Sequence, residues 1–75
     1  MNDKKRRDLK EAYSHLEIAY GLASKVLDQE QDSLDNVPES FRDTDKYEEM
    51  EDKFDSLDEV VQMIDDSMGL LEEIM

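Results

Sequence analysis

Apolar residues in the second half of the chain fall at Tyr47, Met50, Phe54, Leu57, Val61, Ile64, Met68, Leu71 and Met75, in unbroken steps of three and four. That spacing is a heptad seam, one apolar edge of a helix that turns toward a partner helix. The residues between are mostly helix formers and none is proline. The pattern predicts a helix over about 43–74, roughly 45 Å long at 1.5 Å per residue. The first half repeats the spacing at Leu9, Tyr13, Leu16, Tyr20, Ala23, Leu27, Glu30 and Leu34, with only Glu30 polar, and predicts a helix over about 3–34. Ala12, Ala19 and Val26 widen this stripe along one edge.

The segment 35–42 separates the two seams. Pro38 cannot continue a helix and biases Val37 away from helical angles. Asn36 tolerates the left-handed conformation that often ends a helix. Ser40 is a candidate N-cap for the second helix, with Asp43 or Thr44 as alternative starts. A short link between long helices makes them antiparallel neighbours. The expected fold is all-α: one domain over 1–75, an antiparallel two-helix hairpin of coiled-coil type. The expected register sets Leu34 beside Tyr47, and Leu9 and Tyr13 near Met68 and Leu71. It also sets Lys4, Lys5, Arg6 and Arg7 beside Glu72 and Glu73.

Ile18 and Leu22 lie outside the first seam, and Val60, Met63, Leu70 and Ile74 outside the second. They widen the apolar arcs beyond what one partner helix covers. A chain of 75 residues seldom draws more than about 3–5 kcal/mol from its own core. It has no cysteine for a disulfide and only one histidine, His15, too few for the usual zinc sets. Oligomerisation is the remaining staple. These six residues are the expected interface of a homo-oligomer, most simply a dimeric four-helix bundle, with a larger helical assembly as the alternative.

Charge adds a second pattern. An apolar residue followed by two acids recurs at Met50-Glu51-Asp52, Leu57-Asp58-Glu59, Ile64-Asp65-Asp66 and Leu71-Glu72-Glu73. With Tyr47 at heptad position a, Glu51, Asp58, Asp65 and Glu72 occupy e, and Asp52, Glu59, Asp66 and Glu73 occupy f. The chain carries a net charge of −13. Residues 1–10 hold five bases and two acids, hence +3; residues 51–75 hold one base and nine acids, hence −8. Phosphates would be repelled by most of this surface, so direct binding of duplex nucleic acid is not expected. A basic protein surface, including a groove that normally holds DNA or RNA, is the expected partner.

Two readings of the acidic columns stay open. They are a solvated face that keeps the protein soluble, or a docking rail for that basic partner. The rail is favoured by what is forgone, since mixed charges four residues apart would stabilise the helix and like charges do not. The column repeat of about 10.5 Å does not match the 3.4 Å phosphate rise, so any nucleic-acid mimicry would be approximate.

Other features carry less. Asp43-Thr44-Asp45 opens like a calcium loop, but Tyr47 stands where an oxygen ligand belongs and the turn glycine is missing. No specific metal site and no cofactor are expected. Ser14 and His15 point about 100° apart on a helix and form no catalytic pair, so no enzyme is expected. Lys4 to Arg7 read as dipole partners or a solubilising end. Gly21 and Gly69, both at b, mark either close backbone approach or tolerated surface glycines. The aromatic and methionine side chains read as packing. No apolar run reaches the length of a membrane span, and the charged start lacks a signal-peptide core, so the expected location is the cytoplasm.

The turn Asn36-Val37-Pro38-Glu39-Ser40 and the helix start Tyr47-Glu48-Glu49-Met50-Glu51 resemble a loose group of small, acidic, uncharacterised helical-hairpin proteins from bacterial and phage genomes. The likeness covers roughly residues 30–75. It implies a mobile-element origin, where small acidic proteins bind and block host defence or nucleic-acid machinery. It transfers no site residues. The functional expectation is a non-enzymatic, oligomeric interaction protein that binds a basic partner surface. The alternative is an assembly module acting through its apolar faces.

Overall fold

In the computed structural model, which describes all 75 residues, two helices carry almost the whole chain. α1 spans Asp3–Asp35 and α2 spans Asp45–Ile74, joined by a link that holds one turn of 3-10 helix, Glu39–Phe41. They pack against each other as an antiparallel hairpin measuring 59 × 14 × 14 Å between Cα extremes. The radius of gyration is 17.2 Å, against about 11 Å for a globular domain of this length. The chain is a rod.

Each helix start is closed by a side chain. Asn2 caps α1, its Oδ1 accepting from the Lys5 amide at 2.9 Å. Thr44 caps α2: its Oγ1 accepts from the Tyr47 amide at 3.3 Å and donates to the Phe41 carbonyl at 2.8 Å. Ser40 is therefore not the cap. It lies inside the 3-10 turn, and the chain needs four more residues after it to reverse direction.

The end of α1 differs from expectation too. Asn36 is right-handed, at φ −85° and ψ −6°, and no residue has positive φ. The Asn36 and Val37 amides donate to the Asp32 and Leu34 carbonyls, and Arg42 reaches back to two more. Its Nε donates to the Val37 carbonyl at 3.2 Å and its Nη2 reaches the Asp35 carbonyl at 3.5 Å. A cation at the negative end of α1 also suits the helix dipole.

The seams hold. On α2 the residues withdrawn from solvent are eight of the nine in the 3–4 pattern together with Asp58, and the ninth, Met75, directly follows the helix end. On α1 they are Leu9, Tyr13, Leu16, Ala23, Leu27, Glu30 and Leu34, with Ala19 and Ser24 beside them. Tyr20 departs from the pattern and is 38% exposed. The small residues Ala19, Ala23 and Ser24 beside it are half-buried. The core is thin. Only Leu34 and Val61 are buried, at 7% and 8% exposure, and no side chain is fully enclosed.

Candidate functional site

One hydrogen bond marks the register and the sidedness of the hairpin. The Tyr13 hydroxyl donates to Glu72 Oε1 at 2.6 Å. Give Tyr13 position a on α1, as Tyr47 has on α2. Glu72 is then an e residue, so the a side of α1 lies against the e side of α2. The Tyr13 phenol is pushed up to about 12, first by its hydrogen bond to Glu72, then by partial desolvation, then by the negative charges of Glu72, Glu17 and Asp65. Glu17 is e on α1 and Asp65 is e on α2. The e columns of both helices therefore converge on one flank of the seam. In antiparallel helices this leaves both g columns on the opposite flank.

The e flank is acidic. Of the eight carboxylates singled out by their heptad positions, Glu51, Asp52, Glu59, Asp65, Asp66, Glu72 and Glu73 are exposed. Asp58 is half-buried and accepts from Gln62 Nε2 at 3.1 Å. The e and f columns are about 100° apart around α2, with column b between them. Glu48 and Asp55 fill the first half of that gap. Toward the end of α2 the b column reaches Gly69, and an open depression of about 540 Å³ lies there between Asp65, Asp66, Glu72 and Glu73.

None of these carboxylates is in an ion pair. The contacts between opposite charges are Lys4–Asp8 at 3.3 Å and Arg6–Asp3 at 3.8 Å, and the His15 imidazole lies 3.8 Å from Glu11, all within α1. The expected pairing of Lys4, Lys5, Arg6 and Arg7 with Glu72 and Glu73 does not form. Tyr13 lies near Glu72, and α2 ends two residues later at Ile74. The basic segment sits six or more residues before Tyr13, about 9 Å further along the rod. It projects past the end of α2, whose last turn holds two acids and no base.

The g flank is apolar. Counting outward from the Tyr13–Glu72 bond, to within about a turn, sets Val26 level with Val60, Leu22 with Met63, His15 with Leu70 and Ala12 with Ile74. All six expected interface residues are exposed: Ile18 62%, Leu22 62%, Val60 46%, Met63 60%, Leu70 63% and Ile74 56%. Five of them sit at c or g on this one flank. Ile18 is at f, on its rim. Val26, 43% exposed, belongs with them although the spacing alone assigned it to the seam edge. Lettering both helices and applying the antiparallel rule would have found it.

The remaining candidates place simply. Ser14, Ser33 and Ser67 donate to backbone carbonyls four residues earlier. Ser14 thus points along its own helix and not at His15. No three acidic or histidine side chains converge on a point that could hold a metal ion. Neither glycine marks a close approach: a Cβ at Gly21 or Gly69 would meet nothing within 4 Å. No helix is long and apolar enough to cross a membrane. No family model matches the chain, and no curated protein or solved structure matches it either.

Proposed function

We propose that the protein is a non-enzymatic interaction module whose acidic flank docks on a basic surface of a partner protein. One observation carries this reading: two columns of carboxylates on α2, Glu51, Asp58, Asp65 and Glu72 at e and Asp52, Glu59, Asp66 and Glu73 at f, none of which is in an ion pair. Like charges three or four residues apart, as among Glu48, Glu51, Asp52, Asp55, Asp58 and Glu59, cost roughly 0.2–0.5 kcal/mol per pair, and a cationic partner would reverse that sign. Lysines and arginines gathered to hold nucleic acid are the partner surface of matching charge. The resemblance of the turn to small acidic proteins of bacterial and phage genomes adds a role, inhibition of host defence or nucleic-acid machinery.

The test is capture from host lysate over a salt series, with mass spectrometry of what is retained. Capture should fall steeply with salt and should vanish when Asp52, Glu59, Asp66 and Glu73 are all replaced by Lys. Capture that is indifferent to salt, or that survives the replacement, contradicts the reading.

A second reading, an assembly module acting through its apolar faces, is favoured by a different observation. Ile18, Leu22, Val60, Met63, Leu70 and Ile74 are all more exposed than residues of their kind in a finished core.

A further inference from the structure

We infer that the g flank is where a second copy of this chain seats, so that two hairpins close a four-helix core and turn their acidic flanks outward. This rests on the assembly reading and deepens it by naming the surface and its occupant.

The first argument is the map of charge. On α1, positions c and g from Ala12 through His15, Ala19, Leu22 and Val26 to Gln29 hold no Asp, Glu, Lys or Arg. On α2, the same positions from Ser56 through Val60, Met63, Ser67 and Leu70 to Ile74 hold none either. The chain as a whole is 41% charged. A random sprinkling of charge would not spare two stripes that the register then brings to one face.

The second argument is area. The hairpin exposes 5879 Å², where a compact monomer of 8.8 kDa would expose about 4,800 Å². The excess of about 1,100 Å² per chain exceeds the roughly 800 Å² that each partner buries in a standard stable interface. The hairpin alone is therefore short of burial by about the area of one dimer interface.

The third argument selects the occupant. Two copies carry −13 each and repel over most approaches. Across this flank there is no carboxylate to oppose another, so self-approach is directed to it. The stripes also match each other in length, about 25 Å along both helices. Levels with large side chains, Leu22 with Met63, alternate with a level of small ones, Ala19 with Ser67. That alternation gives knobs and holes for an identical flank.

Sedimentation equilibrium tests this on the full chain. The wild type should run at twice the 8.8 kDa of one chain at micromolar concentration. Met63→Glu combined with Leu70→Glu should weaken association at least about 100-fold, since each copy loses two apolar contacts. The fourfold Lys variant of Asp52, Glu59, Asp66 and Glu73 should stay dimeric, so loss of partner capture and loss of self-association are separable. If the double Glu variant fails to fold, isotope-filtered NMR of mixed labelled and unlabelled wild type decides the matter. Intermolecular contacts should appear at the Leu22, Val26, Val60, Met63, Leu70 and Ile74 methyls. A monomeric, helical wild type, a double Glu variant that remains dimeric, or intermolecular contacts confined to Tyr13 and the turn would each overturn the proposal.

Discussion

The two flanks of the hairpin are built on the same seam and are opposite in character. On the e flank, the Tyr13 hydroxyl donates to Glu72 and feels the charges of Glu17 and Asp65, and Lys10 is the one base in either e column. On the g flank, Leu22 and Val26 of α1 lie level with Met63 and Val60 of α2, and charge is absent. Two residues, about 160° around the axis, separate the e and g columns on each helix, one on either side of the seam. An antiparallel pair brings e to e and g to g, so a bias on each helix becomes a two-faced rod and does not average out. The seam makes the hairpin; the flanks are the two faces it presents.

Breaking the seam should remove both flanks at once and is the largest effect expected. Leu34→Ala, at one of the two buried positions, should cost about 2–3 kcal/mol in urea unfolding at fixed protein concentration. Met63→Ala should leave the hairpin's own packing alone and show itself as weaker association. Equal losses of helicity at high concentration in the two variants would erase the distinction between seam and flank.

Salt should then pull the flanks apart. Raising it from about 0.05 to 0.5 M screens the carboxylates, and should strengthen self-association while weakening capture by a basic partner. Parallel changes in sedimentation and capture assays would contradict the separation. Smaller effects belong to the acidic side alone. Ser24, at e on α1, has a buried hydroxyl oxygen with no hydrogen-bond partner, so Ser24→Ala should stabilise by about 1 kcal/mol. Gly69→Ala, in open space, should add roughly 0.5–1 kcal/mol. Both are read by thermal melting, and a loss of stability would show that the acidic flank is more tightly covered than its exposure indicates.

The smallest effect is the most local. The Tyr13 phenol is raised from 10.0 to about 12, so the folded state favours its protonated form. That contribution is complete below pH 10 and is lost as pH climbs through 12. A tyrosinate absorbance titration should show one late-ionising tyrosine, absent in Tyr13→Phe. Three tyrosines titrating together would remove Tyr13–Glu72 as the marker of register.

Much of the fold is legible in the sequence because the 3–4 spacing states a physical requirement directly: apolar positions must share a face. Every α2 seam residue from Tyr47 to Leu71 follows it, as does Met75 just past the helix end. The caps are less legible. Thr44 and Ser40 are equally good acceptors by composition, and only the path of the 3-10 turn chooses between them. Arg42 was missed because its role depends on reaching back across the turn to Asp35 and Val37, which no periodicity encodes. The placement of Lys4 to Arg7 went astray for a related reason. A seam specifies facing edges more sharply than it specifies axial offset, and here the N-terminal turns overrun the end of α2. The candidate surfaces fall between these cases. The acidic columns and five of the flank residues are readable as heptad letters, but their meeting on opposite sides emerges only when both helices are lettered together.

Far-UV circular dichroism measured together with mass over a dilution series addresses the central claim most directly, because a thin seam that depended on a second copy would couple folding to association. Helicity and mass should fall together as the chain is diluted, with mass declining from twice 8.8 kDa toward that of a single chain. Full helicity at a mass of 8.8 kDa, unchanged by dilution, would contradict it.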